Sequence, residues 1–273
     1  MAERGAVLEG LRAYRMIAGM WVRSGMTYRA SFVFTLFGNL VMTGLDFVGI
    51  LLMFSHVDSL AGWSLPEVAF LYGASVTSFG IAHLAAGSMP QLGSRIRDGS
   101  FDVLLVRPVP VLAQVGGDRF SVRRLGRVVQ GGVVLGWALA AADIDWTLSR
   151  VLLVPLMVFA GAAIFVAVFV AGAAFQIYAQ DAAEVQNAFT YGGTTMLQYP
   201  PGVFGKDLVR GVTFVLPLAF VNWVPAARVL GRPYPVALPD WVAFASPLVA
   251  VGCCALAGLA WRTGLRSYMS VGS

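Results

Sequence analysis

The sequence predicts an all-α polytopic membrane protein, and three observations predict it. Of the 273 residues, 58% belong to the set AVILMFWYC and only 12% are charged, with a mean hydropathy of +0.75. A soluble domain carries about 45–50% apolar and about 25% charged residues, so this chain has too little polar surface to cover a fold in water. The apolar residues also gather into runs near 20 residues, the length that crosses a bilayer core, and the chain has room for roughly six of them. Finally, 14 of the 19 basic residues fall in three blocks, at 1–30, 90–127 and 262–266, outside the apolar runs. Basic residues mark the cytoplasmic side of a multi-pass protein, so both termini and the 90–127 block are placed there and the number of crossings is even.

The same numbers exclude other classes. Disorder, coiled coils and disulfide scaffolds do not fit so apolar a chain. The net charge of +5 and pI near 9.6 would raise nucleic-acid binding in a soluble protein; here the charge flanks membrane segments, and no nucleic-acid partner is expected. The adjacent Cys253 and Cys254 have poor geometry for a structural disulfide and read as small apolar fillers. No secretory signal is expected, because residues 1–30 lack an apolar core and a small-residue cleavage site.

Taken in order, residues 1–30 read as an amphipathic helix in the membrane interface. Val7, Leu11, Tyr14, Ala18 and Trp21 share one stripe, with Arg12, Arg15 and Arg23 off it. A cytosolic helix packed on a partner is the alternative. Spans are expected at 31–54, 67–89, 125–142, 151–177 and 241–261, with a basic loop at 90–124. The stretch 178–240 is ambiguous. Residues 182–199 are long enough to cross but polar, with Glu184, Gln186, Asn187, Thr190, Thr194, Thr195 and Gln198. Residues 211–227 are apolar but interrupted by Pro217 and Pro225, and an interior proline costs about 3 kcal/mol unless neighbours satisfy the freed carbonyls. Parity allows only one full crossing. The reading adopted makes 182–199 the fifth span and 200–240 a segment that dips in from the outward side and returns, which is allowed where protein or water covers the backbone; a crossing at 211–230 is the alternative.

No catalytic or metal motif stands up, so no cofactor is expected on this chain. His56 and His83 are too far apart for a ligand pair, and GVFGKD at 202–207 lacks the spacing of a phosphate-binding loop. A serine hydrolase built on Ser75, Ser78 or Ser88 with His83 competes poorly with hydroxyls that simply bond back to their helix. Two polar stripes are more informative. Thr35, Asn39, Thr43 and Asp46 share a face of the first span, and Asn187, Tyr191, Thr194 and Gln198 share one on the fifth. A mid-span carboxylate belongs against protein or water. With Ser75 and His83, these residues mark a translocation path or a helix interface, since interhelical hydrogen bonds use the same residue types. Asp46 as the ion site of an ATP-independent secondary transporter or channel is the alternative function.

The run IRDGSFDVLLVRP at 96–108 is the most specific feature. Ser100 is placed to cap a short helix, Asp102 complements its first turn, Arg107 its last, and Pro108 ends it. Phe101, Leu104 and Leu105 share a face, and a helix so short is marginal in water without something to dock on.

That run, with YPPGVF at 199–204 and FVLPLAFVNWVPAARVLG at 214–231, resembles the membrane subunits of bacterial type-2 ABC exporters. The resemblance implies a permease of six transmembrane helices with an N-terminal elbow helix, a cytoplasmic coupling helix at 99–108 and an outward-side re-entrant segment at 200–232. It implies that Arg97, Asp98, Gly99, Phe101, Asp102, Leu104, Leu105, Arg107 and Pro108 meet the ATPase. It also implies a bacterial inner-membrane location and two cytoplasmic ABC ATPase subunits, which hold the ATP and Mg. A second permease completes the path, a related heterodimer partner being favoured over a second copy.

Overall fold

The computed structural model describes residues 2–269, and their side chains except those of 2–7, 25, 28–32, 36 and 39. Thirteen α-helices in order form it: α1 (Ala2–Gly25), α2 (Arg29–Phe54), α3 (Leu65–Ala86), α4 (Leu92–Arg97), α5 (Ser100–Leu105), α6 (Val111–Gly117), α7 (Leu125–Ala141), α8 (Leu148–Tyr178), α9 (Ala183–Asn187), α10 (Gly193–Leu197), α11 (Lys206–Phe214), α12 (Trp223–Leu230) and α13 (Ser246–Ser267). The described residues contain no strand, only an isolated bridge between Leu60 and Trp63.

Among the described residues four helices are long and apolar enough to cross a membrane: Val33–Phe54, Leu65–Ala86, Leu148–Tyr178 and Ser246–Ser267. A fifth candidate is the pair Lys206–Phe214 and Leu218–Leu230, bent by 80°. α7 has 17 residues, near the lower limit for a crossing.

Local sequence explains the boundaries. α3 opens on Ser64, whose N–H and hydroxyl both donate to Glu67 Oε2 at 2.8 and 2.9 Å, with Pro66 in the first turn. Thr147 caps α8 by accepting from the Arg150 N–H. The last long helix sits further along the chain than the expected 241–261. Residues Asp240–Phe244 form a 3-10 turn, Pro247 occupies the first turn of α13, and the helix runs on to Ser267.

α3 is the axis of the bundle, packed between α7 and α8, with α13 beyond α8. Glycine makes the α3–α7 contact as close as it is: a Cβ added at Gly73 would sit 2.6 Å from the Leu135 backbone nitrogen, and one at Gly131 would sit 2.7 Å from the Thr77 nitrogen. Phe79, Phe165 and Phe169 fill the space between α3 and α8, with Phe79 edge-on to Phe165 at 5.3 Å. α2 lies on the outside against α7.

The two ends of the bundle are defined by contacts. At one end, the Tyr14 hydroxyl of α1 donates to Ala85 O at 2.9 Å, Arg97 pairs with Asp181 at 2.7 Å, and Tyr268, just past α13, donates to Asp102. α1, which packs on α6, and Tyr268 thus both meet the 87–124 loop. At the other end lie the 55–64 loop and the start of α3. Residues 200–232 begin and finish there, Gly202 beside Ala61 and Arg232 gripping Glu67 through two 2.7 Å bonds. Between those points the segment is a hairpin plugged into the core. Buried Asn222 donates through Nδ2 to Leu71 O, Ser75 Oγ and Leu197 O, at 2.8–2.9 Å, and Trp223 Nε1 donates to Tyr199 O.

Residues 183–197 run between the two ends as α9, a π-helical turn at Ala188–Gly192, and α10. Their lower part is held by buried amides. The Gly93 N–H donates to Gln176 Oε1 at 2.6 Å, Gln176 Nε2 donates to Gln186 Oε1, and Gln186 Nε2 donates to Phe169 O. Each is a buried polar group with a partner, the condition for keeping it inside.

Candidate functional site: a helical knuckle and a basic groove

Two surfaces carry the residues marked by sequence. The first is the knuckle formed by α4 and α5. The chain reverses between them at Gly99, whose φ of 71° is left-handed backbone that glycine adopts without strain. Ser100 is the first helical residue rather than the cap. Asp98 does the capping, accepting from the Ser100 N–H at 2.9 Å, and its hydrogen bonds with Ser100 hold its carboxyl below the usual range.

The expected apolar face divides. Phe101 and Leu104 are buried in the protein's own core, Phe101 edge-on to the Tyr268 ring at 5.0 Å. The Tyr268 hydroxyl donates to Asp102 at 2.8 Å, and burial together with that carboxylate pushes its pKa up to about 12. From α6, Gln114 Nε2 donates to Leu104 O and Val109 O, both at 2.9 Å. Arg97 is taken by Asp181 and Gln180 O of the α8–α9 link. What remains facing out is Val103, Leu105 and Val106, 52%, 38% and 83% exposed, with Asp98, Arg107 and Pro108 beside them. Val103 and Val106 were missed by the sequence reading although each lies two residues on from Phe101 and Leu104, about 200° around the helix, which places them opposite the buried pair.

The second surface is a groove between α2, α3 and the foot of α7. Met42, Thr43, Asp46, His83, Arg123, Arg124 and Arg127 enclose about 260 Å³. Behind two of its lining residues is an aromatic cluster: His83 stacks on Phe79 at 5.7 Å, its Nε2 is 3.2 Å from the Tyr191 hydroxyl, and the Arg127 guanidinium lies over Phe79 and Tyr191 at 5.2 and 5.8 Å. Arg124 donates to His83 O at 3.2 Å.

The structure therefore brings Asp46, His83 and Tyr191 together and separates the rest of the marked set. Ser75 is buried against Asn222 in the hairpin contact. Thr194 is buried and bonds back to Thr190 O. Asn187 and Gln198 are half-buried toward the two ends of the α9–α10 helix, and the side chain of Asn39 lies outside the described residues. The stripe Asn187, Tyr191, Thr194, Gln198 assumed an unbroken α-helix. The π turn adds a residue to one turn, so Thr195 rather than Thr194 follows Tyr191 on the exposed side and bonds to Tyr191 O at 3.0 Å.

A body of long apolar helices, one end carrying an exposed helical knuckle and one flank a charged groove, is the construction of a multi-pass membrane transport protein. The family model described as ABC-2 family transporter protein matches residues 40–272, and the chain belongs to that family. Its members are the membrane permeases of ABC transporters, not enzymes in themselves, and normally work with cytoplasmic ATPase subunits. No curated protein and no solved structure matches the chain.

Proposed function

We propose that the chain is the permease subunit of an ATP-driven exporter in a bacterial inner membrane. In this reading it crosses six times, through α2, α3, α7, α8, the α9–α10 helix and α13, with the 200–232 hairpin dipping in from the outward side, α1 as the elbow and both termini cytoplasmic. It pairs with a second permease, a related chain in preference to a second copy. Two cytoplasmic ABC ATPases drive the pair and hold the ATP and Mg.

The observation that carries the reading is the two-sided knuckle. Its inner side is fastened to α13 through Tyr268 and to the α8–α9 link through Arg97, while its outer side offers Val103, Leu105 and Val106 with nothing over them among the described residues. An apolar patch rimmed by Asp98 and Arg107 is what a protein partner covers. ATP-driven closure of the ATPases presses on that patch, and the fastenings pass the movement to α8 and α13.

Co-purification with the ATPase tests this. Val103→Asp combined with Val106→Asp is expected to abolish capture of the ATPase and stimulated ATP hydrolysis while leaving the permease folded. Unchanged capture and stimulation would overturn the docking assignment. Transport by the purified chain alone, driven by an ion gradient and lost in Asp46→Asn, would overturn the exporter reading.

A further inference from the structure

The groove at the foot of α7 holds more positive charge than its surroundings neutralise. Elsewhere in the same loop Arg95 and Arg119 reach Asp118 and Arg97 reaches Asp181. Among the described residues Arg123, Arg124 and Arg127 make no such pair. Arg123 Nε donates to Ser121 Oγ at 3.1 Å, Arg124 donates to a backbone carbonyl, and Arg127 rests on two rings. A guanidinium has five N–H donors, so most of these donors are left for something else. The cavity's one carboxylate is Asp46, which leaves three positive charges against one negative. The first turn of α7 begins between Arg124 and Arg127, and a helix N-terminus adds to an anion's welcome.

The shape limits the occupant. About 260 Å³ is smaller than the roughly 300–1,000 Å³ of a pocket for a whole drug-sized ligand. It suits a headgroup whose tail lies outside. The adjoining outer surface of α2 is apolar, with Phe37, Leu40, Val41, Met42 and Leu45 exposed, so a tail can lie along it. Basic pockets between membrane helices on the cytoplasmic side take anionic lipid headgroups in this way.

We infer that this groove binds the anionic headgroup, phosphate or carboxylate, of a membrane amphiphile that enters sideways between α2 and α7, with Arg123, Arg124 and Arg127 as its ligands. That such an amphiphile is also the cargo rests on the exporter reading above.

Native mass spectrometry of the purified full chain, titrated with phosphatidylglycerol, phosphatidylcholine or inorganic phosphate, tests the site without the ATPase. Phosphatidylglycerol is expected to be held about tenfold or more tightly than phosphatidylcholine, the size of one charge-assisted hydrogen bond. Arg127→Gln should remove most of that preference. Asp46→Asn, at an exposed position, should strengthen it, and the opposite signs separate a binding role from damage to the fold. Equal retention of the two lipids, a preference untouched by Arg124→Gln with Arg127→Gln, or a preference that Asp46→Asn weakens would overturn the proposal. Inorganic phosphate that displaces phosphatidylglycerol at equal concentration would assign the site to a soluble anion and overturn the amphiphile. Crosslinks from this groove to acidic residues of a second permease would overturn the ligand altogether. In the complex, phosphatidylglycerol should stimulate ATP hydrolysis in the wild type and not in Arg127→Gln. Stimulation that survives the substitution would remove the cargo claim and leave the exporter standing.

Discussion

α2 and α3 are both apolar helices of membrane-crossing length, yet 78% of the most apolar stretch of α3 is buried against 12% for α2. Their side chains explain the difference. α3 carries Gly73, Ala74, Ser75, Ser78, Gly80 and Ala82 where it meets α7, α8 and the hairpin, and small residues let helix backbones approach inside a bilayer. α2 presents Phe34, Phe37, Leu40, Val41, Met42, Leu45, Leu51 and Leu52 to the outside. Hydropathy registers both as membrane helices; residue size tells which is the axis and which is the wall.

The sharpest way to break that comparison is at glycine. Gly73→Leu drives a side chain into the Leu135 backbone, 2.6 Å from where its Cβ would stand, and is expected to cost about 3 kcal/mol or more, read as loss of monodisperse protein in size-exclusion chromatography. Gly44→Ala on α2, with nothing within 4 Å, should leave the protein unchanged or up to about 1 kcal/mol more stable. Equal behaviour of the two would dissolve the distinction.

Next comes the hairpin that α3 holds. Asn222→Ala strips buried donors from Leu71 O, Leu197 O and Ser75 and should cost about 1–3 kcal/mol, measured by thermal unfolding in detergent. Glu67→Gln weakens the grip on Arg232 at the outer end. Because Arg232 is 34% exposed, the loss should be nearer about 1 kcal/mol and should shrink in high salt. The smallest effect is expected on α2: Phe37→Ala, at a 67% exposed position, should move the melting temperature by the equivalent of about 0.5 kcal/mol or less. A large loss there would mean that α2 is not a wall.

Much of the fold was legible because it rests on local rules. Apolar runs near 20 residues announced the helices long enough to cross a membrane, whereas the caps at Ser64, Glu67 and Thr147, though written within three or four positions of where they act, were not read, and Ser100 stood as the cap that Asp98 supplies. The site was legible only in outline. Asp46, His83 and Tyr191 stood out as polar residues in apolar runs, and they do meet around one groove. Arg123, Arg124 and Arg127 did not, because basic residues at a helix foot also serve as a topology signal, and their lack of carboxylates is a fact of three dimensions. The burial of Phe101 and Leu104 was hidden for a related reason: a short amphipathic helix has an inside, but its sequence does not say whether that inside faces its own chain or another. The π turn in 183–197 leaves no trace in periodicity, so the register beyond Tyr191 was off by one.

The contact of α3 with α7, where Gly73 and Gly131 let one main chain touch the other, forbids shear. For either helix to slip lengthwise, a residue with a side chain would have to take the glycine's place against the Leu135 or Thr77 backbone of its neighbour, where there is no room for a Cβ, and tightly packed interfaces switch between discrete arrangements. The two must swing as a single plank, leaving the pivots to the 3-10 turns that flank it, Met89–Gln91 after α3 and Val122–Arg124 before α7.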